Sequence, residues 1–105
     1  MAKGETGVAA FRAALSGTSA PAGWPPALRA LWAIEKGDWN GAHELVQHEE
    51  GRDAAWVHAH LHRIEGDDWN AGYWYRRAGR PQTSGDLAAE RGLIAAALMM
   101  GTGGG

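Results

Sequence analysis

The sequence predicts an all-α protein in which two antiparallel helical hairpins are flanked by an N-terminal and a C-terminal helix. Three observations favour this fold class. Apolar residues recur at the three- and four-residue spacing of a helix face. Glycine–aspartate pairs interrupt that pattern at short intervals, as expected where one helix stops and the next is capped. No run of β-branched residues alternates with polar ones, so strands are not expected.

The composition narrows the class of protein. With 105 residues, the chain has room for one small domain. It contains no cysteine, which excludes a disulfide scaffold, a thiolate zinc site and a cysteine nucleophile. A formal net charge of −2 argues against binding nucleic acid through a broadly basic surface. No apolar run reaches the ~18 residues of a membrane span and no secretory start is visible, so we expect a cytoplasmic protein without a membrane partner.

The first two helices are predicted on either side of a linker. Residues 1–7 are expected to be a flexible start. A short amphipathic helix follows over 8–15, where apolar residues recur at i, i+3 and i+7. Residues 16–23 form the linker. The second helix begins around Pro25, since proline suits a first helical turn, and stops at Gly37.

The remaining helices are predicted from their caps and stops. An aspartate before each apolar run can cap a helix, and a glycine after it can end one. The expected helices are the third over 39–50 after Asp38, the fourth over 54–65 after Asp53, the fifth over 69–78 after Asp68, and the sixth from Thr83 or Ser84 to about Met100. Residues 101–105 are expected to be a flexible glycine-rich tail, which leaves 8–100 as a single helical domain.

The chain contains an internal repeat with a period of about 30 residues. A shift of 30 aligns Leu31, Ile34, Glu35, Asp38, Trp39 and Asn40 with Leu61, Ile64, Glu65, Asp68, Trp69 and Asn70. A shift of 29 aligns Ala30, Gly37, Asp38 and Ala42 with Ala59, Gly66, Asp67 and Ala71. The extra aspartate after Gly66 leaves both shifts open. Repetition at this period predicts stacked helical hairpins.

The second copy of the repeat resembles known helical repeats. Residues 71–78 read Ala-Gly-Tyr-Trp-Tyr-Arg-Arg-Ala and look like the second helix of a Sel1-like repeat. The same region is similar to the tetratricopeptide pattern through Gly66, Asp67, Ala71, Tyr75, Ala78 and Pro81. The block from Ala55 to Pro81 also resembles small uncharacterised bacterial and fungal proteins. The resemblance implies a scaffold or peptide-binding role.

Four aromatic residues are assigned structural roles. Trp39 and Trp69 stand at the starts of the third and fifth helices, where they are expected to cover the hairpin turns. Trp74 and Tyr75 are adjacent and therefore face about 100° apart. One of them is expected to enter the core and the other to reach a neighbouring hairpin.

Three residues of the fourth helix form a candidate recognition stripe. Trp56, His60 and Arg63 are spaced i, i+4 and i+7, away from the face that the apolar residues predict as core. The resemblance implies that this stripe lines a concave groove for a protein or peptide; the alternative is a solvated face on which Trp56 lies over Arg63. Arg76 and Arg77 are further candidate partner-binding residues, although they also suit the C-terminal end of a helix.

The histidines suggest a second kind of site. His58 and His62 are spaced i, i+4, which can chelate a divalent metal such as Zn²⁺, and His43 and Glu44 lie on the preceding helix. The alternative is that these histidines hydrogen-bond between helices, since the sequence lacks the His-Glu-x-x-His motif. A hydrolase would use His43 or His62 as general base with a nearby glutamate.

These observations favour a non-catalytic module that binds a protein or peptide, or assembles with one, and that needs no cofactor. A metal-binding protein or small hydrolase built on the histidines is the alternative. The sixth helix carries more apolar surface than a simple cap requires, which predicts a homodimer formed through it.

Overall fold

The computed structural model describes residues 3–103, with the side chains of residues 7–101. This part of the chain is all-α, as predicted, and has no strand. Its helices are α1 (Lys3–Ala14), α2 (Pro26–Glu35), α3 (Trp39–Val46), α4 (Arg52–Ile64), α5 (Asp68–Ala78) and α6 (Leu87–Gly103). None of these helices combines the length and the apolar character that crossing a bilayer requires.

The two turns that join α2 to α3 and α4 to α5 have the same construction. Gly37 and Gly66 adopt φ values of 81° and 83°, a left-handed conformation that glycine tolerates best. The next residue then caps the following helix: the Asp38 carboxylate accepts from the backbone N–H of Gly41, and the Asp67 carboxylate accepts from that of Asn70. Each pair of helices therefore folds back on itself as a hairpin.

The two hairpins superimpose in sequence at an offset of 29 residues, the second of the two alignments that the sequence left open. The backbone N–H of Asp38 donates to Ala33 O at 2.9 Å, and that of Asp67 donates to His62 O at the same distance. The caps Asp38 and Asp67 also share a ψ of 77°. Burial follows the same register, because Val46 and Tyr75 are both 1% exposed.

Several predicted helix boundaries are wrong. Asp67 rather than Asp68 caps α5, because its side chain reaches the N–H of Asn70. Gly51 rather than Asp53 precedes α4, which begins at Arg52. The third helix ends at Val46 instead of Glu50, and α6 begins only at Leu87.

The terminal helices are longer than predicted. α1 begins at Lys3, so part of the expected flexible start is helical. α6 continues to Gly103, beyond the expected limit of Met100. The expectation of flexibility at residues 1–2 and 104–105 lies outside the described residues.

α6 folds back across the hairpins and closes the core. It packs along α1 and also contacts α2 and α4. Ile94, Ala95 and Leu98 of this helix are buried with the apolar residues of α2 and α4. The face of α4 that lies under α6 is therefore interior, which decides the fate of the predicted recognition stripe.

Candidate metal centre

Three imidazole rings converge between α3 and α4. His43, His58 and His62 each offer one nitrogen that lies within 4.8 Å of the nitrogens offered by the other two. The closest approach joins His43 Nε2 to His58 Nε2 at 3.1 Å. The sequence predicted this group as a metal-binding alternative, and the structure brings its three histidines together.

The local helix geometry accounts for the cluster. His58 and His62 are one turn apart on α4, so their rings stack with centroids 4.9 Å apart. α3 packs against α4 and carries His43 to the same place. The rings of His43 and His58 meet edge to face, with centroids 4.7 Å apart.

Two tryptophans enclose the cluster. Trp74 of α5 stacks on His58 with a centroid separation of 3.8 Å. Trp39 stacks on His43 at 5.0 Å, and its indole N–H donates to Leu61 O at 2.9 Å. Trp39 therefore lies against the next hairpin. Trp69, in contrast, is 83% exposed, and the expectation that it covers a turn is wrong.

Glu65 orients one of the rings. Its Oε1 lies 2.5 Å from His62 Nδ1, so the carboxylate accepts the Nδ1–H of the neutral ring. That hydrogen bond leaves Nε2 of His62 as the nitrogen with a free lone pair. A carboxylate that holds the far nitrogen of a histidine in this way is common at metal sites, where it also makes the ligand more basic.

The cluster keeps its histidines neutral. Burial is the main reason that the pKa of His58 falls to about 4, and the neighbouring His43 and His62 lower it further. The pKa of His43 is lowered mainly by burial and then by His62. A neutral imidazole has one nitrogen lone pair, which is the form that binds a metal.

One polar atom in the cluster lacks a partner. His58 is 3% exposed, and its Nδ1 has no hydrogen-bond partner among the described residues. A buried unpaired polar atom costs free energy and is uncommon in folded proteins. Glu44, the fourth predicted ligand, is exposed and lies outside the converging group.

The predicted recognition stripe is not an open surface. Trp56 is 4% exposed and His60 is fully buried, while only 9% of the Arg63 side chain is exposed. The guanidinium of Arg80 lies 3.9 Å from the centroid of the Trp56 ring. The expectation of a face that needs no packing partner is therefore wrong, because α6 and the segment before it cover this face.

Glu90 of α6 is the buried anion that holds the covered stripe. Its Oε1 lies 2.6 Å from His60 Nδ1 and accepts from Arg63 Nη1 at 2.6 Å, and its Oε2 accepts from the Tyr75 hydroxyl. Burial alone would raise the pKa of Glu90, but the hydrogen bonds from His60, Tyr75 and Arg63 lower it below its ordinary value. Burial is the main reason that the pKa of Tyr75 is raised, so the phenol remains a donor.

Sequence reasoning missed the role of Glu90. The available signal was compositional: Glu90 and Arg91 are the charged pair in the otherwise apolar helix α6. A charge in such a helix is expected either to face solvent or to meet a buried partner. Arg91 extends the network, since its Nη1 lies 3.2 Å from His60 Nε2 and its Nε donates to Glu35.

Arg76 and Arg77 lie on the outer face of α5, where both are exposed. Arg77 donates to the Tyr73 hydroxyl at 3.2 Å and lies over the Trp74 ring. Neither arginine forms an ion pair with a residue in the described part of the chain.

Comparison with models of protein families, with curated proteins and with solved structures finds no match to this chain.

Proposed function

We propose that this chain is a metal-binding helical protein that holds one divalent transition-metal ion between α3 and α4. The observation that carries the proposal is the convergence of nitrogens from His43, His58 and His62 within 4.8 Å of one another. The site lies between two helices, a usual position for metal sites in helical proteins.

The alternative role, hydrogen bonding between helices, accounts for the cluster less well. The 3.1 Å contact between His43 and His58 satisfies one nitrogen of each ring, but Nδ1 of His58 is left buried without a partner. The fold itself does not need histidine at these places. At the offset of 29 residues, His58 and His62 correspond to Arg29 and Ala33 of the first hairpin.

The donor set indicates the class of ion. Imidazole nitrogen suits Zn²⁺, Cu²⁺ and Ni²⁺, whereas Mg²⁺ and Ca²⁺ prefer oxygen. Around a tetrahedral Zn²⁺ with Zn–N bonds of 2.0–2.1 Å, two ligand nitrogens lie about 3.3 Å apart. The nitrogens of His43 and His58 are 3.1 Å apart, close to that separation.

The test is a zinc titration of protein purified without a histidine tag. We expect one Zn²⁺ per chain by isothermal titration calorimetry and native mass spectrometry. His62→Gln should weaken binding at least tenfold, because it removes a ligand nitrogen. His48→Ala is the matched control, since His48 is an exposed histidine just beyond α3 and outside the cluster.

A second measurement covers the case in which the variant is unstable. In the wild-type protein, Zn²⁺ should shift the imidazole NMR signals of three histidines and leave those of His48 and His60 unmoved. Absence of Zn²⁺, Ni²⁺ and Cu²⁺ binding to folded wild-type protein contradicts the proposal. So does stoichiometric binding that moves only the His48 signals.

We also propose a partner-binding role for the outer face of α5, in place of the covered stripe. Trp69 is 83% exposed and Tyr73 is 40% exposed, next to the exposed Arg76 and Arg77. At the offset of 29 residues, α3 places exposed Asn40 there instead of Trp69. Two unpaired cations beside aromatic rings are complementary to an acidic peptide segment of a partner protein.

A labelled peptide rich in glutamate tests this second role by fluorescence anisotropy. We expect saturable binding that weakens at high salt and that Trp69→Ala with Arg77→Ala reduces at least tenfold. The matched control is Asn40→Ala, at the corresponding position of α3. Equal binding to the variant, or binding only to an oligonucleotide, contradicts the role.

A further inference from the structure

The metal centre has a property that goes beyond the binding of an ion, and the inference rests on the proposed function. We infer that the ion held by His43, His58 and His62 keeps one coordination position for a small exogenous ligand, water or an anion, on the His43 side of the cluster. Such a centre differs from a closed structural site, in which the protein supplies every ligand.

The first step is the donor count. Among the described residues, the group formed by these three histidines includes no fourth ligand. Structural zinc sites in proteins are closed by four protein ligands, whereas sites with three protein ligands hold a water molecule or substrate in the fourth position. The donor set of this chain is therefore that of an open site.

The second step concerns the nearest carboxylates, which already have other partners. Glu65 is held 2.5 Å from His62 Nδ1, on the far side of that ring from Nε2. Asp67 accepts from the backbone N–H of Asn70 at 3.1 Å and from its side-chain amide at 3.0 Å. These bonds cap α5, so recruiting Asp67 to the ion would leave the start of that helix without its cap.

The third step is charge. Three neutral imidazoles leave the charge of a divalent ion uncompensated, and the hydrogen bond to Glu65 offsets only part of it. The enclosing rings of Trp39 and Trp74 are apolar and do not add negative charge. An anion, or a water molecule that loses a proton, is the ligand that this electrostatic balance favours.

The fourth step is access. His58 and His62 are 3% and 8% exposed, and Trp74 covers one face of His58. His43 is only partly buried, on the short helix α3. The side of the cluster nearest His43 is therefore the side from which a small ligand reaches the ion.

Cobalt provides the test, because the visible absorption of Co²⁺ reports its coordination. We expect the wild-type protein to bind Co²⁺ with the intense bands of a four-coordinate ion. Titration with azide should then shift these bands saturably, with one azide per Co²⁺. His48→Ala should give the same bands and the same shift, since it removes an exposed histidine outside the cluster.

The outcomes separate the inference from the proposed function. Failure of Co²⁺ and Zn²⁺ to bind removes the proposed function and the inference with it. Four-coordinate bands that azide leaves unchanged show a closed site, which overturns the inference and retains metal binding. Bands that azide bleaches by removing Co²⁺ also overturn it. Glu65→Gln identifies a direct ligand: if its bands differ in coordination number from those of the wild type, Glu65 fills the fourth position and the inference fails.

Discussion

At the scale of single residues, Glu90 determines how the covered stripe is stabilised. Only 4% of its side chain is exposed, yet it meets Arg63, His60 and Tyr75 at once. A carboxylate removed from water is tolerated when several donors replace its hydration. The network is therefore stable as a unit and sensitive to the loss of any charged member.

Glu90→Ala should destabilise the protein by about 3–5 kcal/mol. The substitution leaves the nearly buried guanidinium of Arg63 without its carboxylate, and an unpaired buried charge is costly. Urea unfolding followed by circular dichroism measures the change. Glu49→Ala, at an exposed position, should change stability by less than about 0.5 kcal/mol. Similar unfolding midpoints for the two variants would show that Glu90 is not a buried hub.

A second prediction concerns Glu65. Glu65→Gln should weaken Zn²⁺ binding by about 10- to 100-fold, because the amide does not stabilise the ligand form of His62 as the carboxylate does. Calorimetry measures the affinity, and Glu44→Gln provides the control at an exposed glutamate outside the cluster. Equal losses in both variants would point to a general effect of surface charge.

The sequence predicted the histidine cluster better than it predicted the stripe. The i, i+4 spacing of His58 and His62 follows from helix geometry alone, whereas the arrival of His43 depends on how α3 packs on α4. His60 was misplaced because the shift of 30 hides its equivalence to Leu31. At the shift of 29 the two correspond, and both are fully buried.

At the scale of helices and turns, one inserted residue has a large effect. The second aspartate after Gly66 adds a position to the second copy, so Trp69 takes the outward place of Asn40 rather than the inward place of Trp39. Glycine stops and aspartate caps predicted the existence of every helix and the two hairpin turns. They did not fix the helix ends, because neighbouring aspartates can cap equally well until tertiary packing selects one.

The hairpin turns give a prediction of opposite signs for one kind of substitution. Gly66→Ala should cost about 1–2 kcal/mol, because alanine is strained at a φ of 83°. Gly92→Ala should stabilise by about 0.5–1 kcal/mol, since Gly92 lies inside α6 and an added Cβ meets no atom within 4 Å. Thermal unfolding of both variants measures the difference. Stabilisation by Gly66→Ala would contradict the turn geometry.

At the scale of the whole molecule, the return of α6 across the hairpins was the feature that the sequence could not specify. Its apolar residues predicted either a partner surface or a cap. Packing assigns Ile94, Ala95 and Leu98 to the core and leaves Leu93 62% and Met100 49% exposed. The fold class followed from local patterns, while this long-range placement depended on burying Arg63 and His60 against Glu90.

The exposed residues of α6 preserve the prediction of a homodimer. We expect sedimentation to show a dimer at micromolar concentration, since apolar side chains exposed on one helix favour self-association. Leu93→Glu should shift the population to monomer without changing the melting temperature of the monomer appreciably. A wild-type protein that sediments as a monomer at that concentration contradicts this prediction.

Acid should destabilise the metal-free protein. The pKa of His58 is about 4 in the folded state, whereas the ordinary pKa of histidine is 6.5, so the unfolded chain takes up the proton first. Stability is therefore fully present above about pH 6.5 and falls as the pH drops toward about 4. Urea midpoints across this range, with chelator present, measure the effect. His58→Gln should show a shallower pH dependence, and an unchanged slope would contradict the assignment.

The position of Glu90 also has a consequence for synthesis. A ribosome makes α4 before α6, so Arg63 and His60 leave the exit tunnel well ahead of the carboxylate that they meet in the finished fold. The nascent hairpins therefore present Trp56 and a cation to the surrounding water until residue 90 has been added and has emerged. Folding of this chain on the ribosome can be completed only late, and nascent-chain chaperones have an exposed target up to that moment.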